Sequence, residues 1–372
     1  MSKGKLGFGM MRLPLLNKED QTSFDYEELN KMVDLYIESG FNYFDTSYVY
    51  HDGKSETAVK KSVVDRYSRD KYILATKLPA FSVTSEDQPR KLIEEQLEHC
   101  GVEYFDYYLL HNLNRILYDS TVKTCRMFEQ AQEFKKEGII RHLGFSFHDS
   151  ADVLDRILSE HPETEFVQIV VNYYDWDSSW VQAGKCYEVI RKHGKKVIVM
   201  EPVKGGMLAK VPEEIQLEMK KLEPDLSPSA WAMKYAADLD GVIAVLSGMS
   251  NLEQMKDNIS TMVDFTPLTE EEKALLAKTV VAYKKSGVYG LEDFLKYDGI
   301  TPNGMPVGEI LDNYNSCELQ GPVRTENNYY KSIRYENGIE GSWIQGRIVD
   351  HEGNDITEMV RIAEKYLLEN SY

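Results

Sequence analysis

"DYEELNKMVDLYIESGFNYFDTSYVY", residues 25–50, carries two periodicities in one run. Leu29, Met32, Val33, Leu35, Tyr36 and Ile37 build a broad apolar face at helical spacing, and Gly40 is a natural place for that helix to stop. Phe41 to Thr46 then reads as a short buried strand that ends on a carboxylate, Asp45, with Tyr50 five residues later in a stretch of turn chemistry. A helix feeding a strand of near-continuous apolar content is the repeating part of a parallel sheet.

The same alternation persists for most of the chain. Strand candidates are "KLGFGMM" (5–11), "FNYFDT" (41–46), "YILATKL" (72–78), "YFDYYLL" (104–110), "RHLGFSF" (141–147), "FVQIVVNYY" (166–174), "KVIVMEP" (196–202) and "GVIAVLS" (241–247). Eight strands, each followed by a helical segment, predict an α/β fold of the (β/α)8 TIM-barrel type over residues 1–285. A doubly wound sheet is disfavoured, because "GFGMMR" lacks the later glycine and the helix start of a dinucleotide fingerprint. Near Leu268 the character changes: "PLTEEEKALLAKTVVAYKKSG" is a helix with Thr269 as N-cap and Glu272 three residues on. Beyond it the chain turns Gly-, Asn- and Tyr-rich and closes on the amphipathic "DITEMVRIAEKYLLENS", so residues 286–372 are expected to form a small, mainly helical C-terminal module.

Composition narrows the partners. Across 372 residues, 43 Lys and Arg face 61 Asp and Glu, a formal charge of −18 with no basic cluster, which argues against a nucleic-acid partner. Cys100, Cys125, Cys186 and Cys317 lie far apart with no metal-ligand spacing, which suits a reducing cytoplasm. Arg12 and Pro14 interrupt the N-terminal apolar patch, and nothing approaches the roughly 20 apolar residues of a membrane span.

In a barrel, chemistry gathers where strands end. The second candidate strand delivers Asp45 with Tyr50 beyond it, the third Lys77, the fourth His111. Singly, each has a bland explanation: a turn cap, a loop aromatic, a solvated strand end, a core histidine. Together they compose a working acid. A buried ammonium needs a carboxylate, and a fixed cation beside a phenol is expected to lower its pKa. Tyr50 and His111 would then direct donors at the oxyanion that forms as a carbonyl takes up hydride. The set lacks a nucleophile–base pair and a carboxylate pair, and the remaining histidines (51, 99, 142, 148, 161, 193 and 351) show no metal spacing.

"GFNYFDTSYVYHDGKSE", "ILATKLP" and "YYLLHNL" resemble the aldo-keto reductase family of (β/α)8 oxidoreductases, along roughly residues 3–285. The resemblance implies a catalytic tetrad of Asp45, Tyr50, Lys77 and His111 and an extended NADP(H) across the barrel mouth, with NAD(H) left open. It assigns Ser146, Gln168 and Met200 to the nicotinamide end. Pro202, Val203, Gly205 and Gly206, with Lys204 as a screening cation, fall to the pyrophosphate loop. Gly248, Ser250, Gln254 and Asn258 fall to the adenosine 2′-phosphate loop, and Met11 and Asp45 complete the cofactor contacts. Many members carry Tyr at position 200 and Arg at 254; the neutral Gln254 makes the choice of NADP over NAD uncertain from sequence. "GFGMMRLP" and the tail resemble a bacterial branch with a ferredoxin-like C-terminal domain. The cluster positions here would be Leu291, Phe294, Tyr297 and Thr301, with Trp343 and Asp350 near the second run, so no iron–sulfur cluster or other metal is expected.

The resulting expectation is an NADP(H)-dependent reductase of a small-molecule aldehyde or ketone, with Tyr50 as general acid. The alternatives are a nucleotide-sensing interaction protein of little turnover, as in the potassium-channel β subunits of the same family, and an electron-transfer partner reached through the tail. Tyr48, Asn112, Tyr173 and Trp176 are candidates for the substrate side of the mouth.

Overall fold

The computed structural model describes residues 4–287, 294–320 and 328–369. Its strands are β1 (Leu6–Gly9), β2 (Tyr43–Asp45), β3 (Ile73–Leu78), β4 (Phe105–Leu113), β5 (Ile140–Phe147), β6 (Phe166–Val170), β7 (Lys196–Met200) and β8 (Val242–Ser247). They pair in chain order, all parallel, and β8 returns to β1 to close the barrel. Each is followed by a helix; that after β1, Tyr26–Glu38, starts at Asp25, whose side chain accepts from the Glu28 N–H. Gly40, at φ +92°, takes the left-handed turn that leads into β2.

Two apolar layers hold the barrel. Leu29, Met32, Val33 and Tyr36 belong to the large cluster between strands and outer helices. Tyr43, Ala75, Leu109, Phe166, Ile198, Ala244 and Leu246 form a smaller one of inward-facing strand residues. Gly144 has no Cβ because there is no room: one would lie 2.5 Å from the Phe166 carbonyl oxygen and 2.6 Å from its ring.

Strand period fixes what stands above that inner layer. Two residues beyond Tyr43, Ala75, Leu109, Gly144, Phe166 and Ile198 come Asp45, Lys77, His111, Ser146, Gln168 and Met200, on the same inward face at the C-terminal end. The sixth strand is shorter than expected, ending at Val170, and the fourth is longer, so His111 lies inside β4.

Beyond the capped helix Glu270–Ser286, which carries the expected Thr269–Glu272 capping box, come the helices Val307–Gln320, Asn328–Glu336 and Thr357–Glu369. They share an apolar cluster containing Phe294, Tyr297, Ile310, Leu311, Tyr330, Trp343 and Val360. Of the positions aligned with cluster cysteines, Phe294, Tyr297 and Trp343 are therefore buried and apolar. Thr301 is exposed, Asp350 closes a turn by accepting from Glu352 and Asn354, and Leu291 lies outside the described residues. All four cysteines are buried and none forms a disulfide. Among the described residues no helix is long and apolar enough to cross a membrane, and no group of His, Cys, Asp or Glu could hold a metal ion.

Candidate active site

Lys77 is 1% exposed, and three acceptors meet its three N–H bonds. Its Nζ donates to Asp45 Oδ1 at 2.5 Å, to the Thr46 carbonyl at 2.8 Å and to the Tyr50 hydroxyl at 3.3 Å. Burial alone would lower the Lys77 pKa; Asp45 and Tyr50 together overcome it and hold the ammonium above its ordinary value. The phenol oxygen accepts from the ammonium, so its own proton is left to be donated elsewhere. The expected drop in the Tyr50 pKa does not occur: burial, the largest influence, raises it, and the pull of Lys77 only partly offsets that rise. Tyr50 is thus held protonated and within reach of a cation that would stabilise the phenolate once the proton leaves.

His111 stands edge-on to Tyr50, with ring centroids 6.0 Å apart. Burial first, then Lys77 and His148, push its pKa well below the ordinary histidine value, so the ring is neutral. Ser47 Oγ lies 3.1 Å from Nδ1; with the hydroxyl donating there, the ring proton is assigned to Nε2 as a second donor for the mouth. Beneath Lys77 runs a buried polar chain: Gln96 Nε2 donates to the Lys77 carbonyl at 3.0 Å and to Glu56 Oε1 at 2.7 Å, and Thr76 donates to the same Glu56 oxygen at 2.6 Å.

The residues expected at the nicotinamide end stand on neighbouring strands. Ser146 and Gln168 are register partners on β5 and β6, and Met200 pairs with Val170 on β7. Ser146 Oγ accepts from the Asn112 N–H at 2.8 Å, at a bulge where Asn112 adopts φ +64°. Gln168 Oε1 and Asp45 Oδ2 are buried acceptors without a hydrogen bond among the described residues. An orphaned amide oxygen beside a serine hydroxyl fits a carboxamide that both donates and accepts, which is what a nicotinamide presents.

The two loops expected to receive phosphates are built differently from each other. After β7, Glu201, Lys204, Gly205 and Gly206 all have positive φ, and around Gly206 a Cβ would meet nothing within 4 Å. Pro202 and Val203 stand in this turn, but Lys204 does not screen an anion there. It is 2% exposed, and its Nζ donates to both Asp175 oxygens at 2.7 and 2.8 Å. After β8, Ser250 N–H donates to Gln254 Oε1 at 2.8 Å, Asn251 caps the next helix, and buried Asn258 donates to Ser247 Oγ at 2.8 Å. Met11, 58% exposed, stands where β1 leaves the barrel.

Sequence reasoning missed several groups. Arg12 lays its stem over Gly248, where a Cβ would sit 3.0 Å from Arg12 Cδ, and its guanidinium has no hydrogen bond or ion pair among the described residues. Phe81, 47% exposed, has its ring 5.6 Å from that of His111. Ser47 and Arg12 sit in irregular segments and Phe81 in the one-turn 3-10 helix Ala80–Ser82, where no periodicity marks them. Of the mouth candidates, Tyr48 instead donates to Glu95 at 2.9 Å, Tyr173 is buried in a packing cluster, and Trp176 packs against Tyr187 and Tyr235.

Comparison with known proteins identifies the family and the fold. The model of the Aldo/keto reductase family matches residues 5–280. An uncharacterized oxidoreductase of Bacillus subtilis, YqkF, is 27% identical over 280 residues, covering 67% of this chain and 86% of its own. L-galactose dehydrogenase of Arabidopsis thaliana is 23% identical over 256 residues, covering 63% and 78%. Among solved structures, holo aldo-keto reductase AKR11C1 from Bacillus halodurans superposes with a TM-score of 0.58 at 26% identity, over 74% of this chain and 91% of that one. An aldo-keto reductase from Klebsiella pneumoniae in complex with NADPH shares the fold, with a TM-score of 0.58 at 19% identity over 74% and 90%. With the family model spanning the barrel from β1 past β8, the chain belongs to the aldo/keto reductase family.

Proposed function

We propose that this oxidoreductase reduces an aldehyde or ketone with NADPH, Tyr50 acting as the proton donor. The observation that carries this is the buried Lys77 ammonium, held between Asp45 at 2.5 Å and the Tyr50 hydroxyl at 3.3 Å at the strand ends. When bound, the dihydronicotinamide supplies hydride to the carbonyl carbon. The chain's own groups handle the oxygen: Tyr50 passes its proton to it, Lys77 steadies the phenolate left behind, and His111 holds the oxygen through Nε2. Asp45 keeps the ammonium charged and in place. Hydride and proton together give the alcohol.

Support for the cofactor comes from the free Gln168 acceptor, the open space around Gly206 and the NADPH in the Klebsiella pneumoniae structure that shares the fold. Gln254 brings no charge to a 2′-phosphate, so NADPH over NADH is the part of the proposal that rests on family resemblance. The chain is taken as a barrel over residues 1–285 and a C-terminal module over 286–372.

Tyr50→Phe tests the assignment. It keeps the ring and removes the proton, so kcat/KM for an aromatic aldehyde should fall at least ~100-fold, with NADPH affinity unchanged. Equal turnover by variant and parent would remove Tyr50 from the role.

A further inference from the structure

The turn after β7 needs external support. Glu201 at φ +52° and Lys204 at φ +46° occupy the left-handed region without being glycine, a strained conformation that persists only when the surroundings impose it. On one side the barrel supplies that support. Lys204 is locked to Asp175 and lies over the rings of Tyr174 and Trp180, while Asn172 Nδ2 donates to the Glu201 carbonyl at 3.1 Å.

On the other side the support comes from the C-terminal helices. The amide of Gln320, at the end of Val307–Gln320, rests on Gly205: a Cβ there would lie 2.6 Å from Gln320 Nε2. Leu319 packs against the cluster that contains Met207 and Leu208, and Trp180 packs against the C-terminal cluster. Farther round the rim, Glu336 pairs with Arg115 after β4, whose guanidinium also holds Asp149 after β5 at 3.0 Å. Residues beyond 294 therefore touch the loops after β4, β6 and β7, all on the catalytic face.

We propose that the C-terminal helices are a working wall of the nucleotide cleft, and that Gln320 is a positioning residue that sets the shape of the Lys204–Gly206 turn. The inference rests on that turn being the one that receives the dinucleotide's diphosphate bridge. A diphosphate is common to NADPH and NADH, so loss of the brace should weaken both alike. Chemistry occurs at Tyr50, which Gln320 does not touch.

The test uses full-length Gln320→Ala and Gln320→Met. NADPH and NADH affinities are measured by quenching of protein fluorescence, kcat at saturating cofactor with an aromatic aldehyde, and the melting temperature by calorimetry. Gln320→Ala should weaken both cofactors roughly tenfold, with kcat and melting temperature unchanged. Gln320→Met, which refills the space against Gly205, should bind as the parent does. Parental binding by Gln320→Ala overturns the inference. So does a loss confined to NADPH, or a joint fall in binding, kcat and melting temperature, which would make the helices fold support alone. A parent that binds neither dinucleotide refutes the cofactor reading itself and takes this inference with it.

Discussion

At the scale of single residues, the buried pair Lys77–Asp45 bears on stability as well as on the proposed chemistry. Removing one member of a buried ion pair leaves the other charge without compensation, at a cost of about 3–5 kcal/mol. Lys77→Met should therefore lower the stability measured by urea unfolding by that amount. Adding Asp45→Asn should recover much of it while leaving the enzyme inactive. A double variant as unstable as the single would show that the lost energy is packing, not charge. Removing Lys77 also removes the main influence that lowers the Tyr50 pKa, leaving burial to raise it unopposed. This balance was not legible in the sequence. "NYFDT" and "ILATKL" place a phenol near a cation, but the depth of water exclusion decides which influence wins, and depth is a property of the assembled barrel.

Among elements, the strands are legible in the sequence and the loops are not, for one physical reason. A strand such as "KVIVM" must be apolar on both faces to sit between helices and barrel interior, and that requirement is written in consecutive residues. The partner of Lys204 is Asp175, in another loop, and no local pattern announces it. Hence Lys204 is expected from the resemblance as a screening cation, and Arg12 reads only as a break in the N-terminal apolar patch. Caps are the local exception. Thr269 accepts from the Glu272 N–H at 3.2 Å while Glu272 accepts from the Thr269 N–H at 2.6 Å, the reciprocal arrangement the spacing predicted. Thr269→Ala should cost about 1 kcal/mol in urea unfolding and leave kcat untouched. A fall in activity without loss of stability would contradict a purely capping role.

On the scale of the whole molecule, acid and base act differently on the barrel and on the C-terminal helices. Glu309, in the helix Val307–Gln320, is pushed up to about 7, first by burial and then by Asp298, with Lys185 opposing. Its folded pKa exceeds its unfolded one, so the folded state binds the extra proton; that stability is fully present below the unfolded value and is lost as pH rises through about 7. Glu309→Gln, permanently uncharged, should therefore be more stable than the parent at pH 8 by about 1–2 kcal/mol after allowance for solvent screening. The advantage should vanish near pH 4. His148, pushed down to about 4 by burial, has the opposite sign: its contribution is present above the ordinary histidine value and fades as pH falls toward about 4. A Glu309→Gln advantage that is the same at pH 4 and pH 8 would rule out the titration.

The sealed cysteines give the molecule a set of internal clocks. Cys100 and Cys186 sit on barrel helices and Cys317 on the helix that braces the Lys204–Gly206 turn, and burial pushes the Cys186 thiol up to about 12. A thiol that is both covered and protonated cannot be alkylated until its surroundings open. Pulses of iodoacetamide followed by peptide mass analysis would thus time the opening of each region separately, and would reveal whether Cys317 becomes reactive before the barrel thiols or together with them.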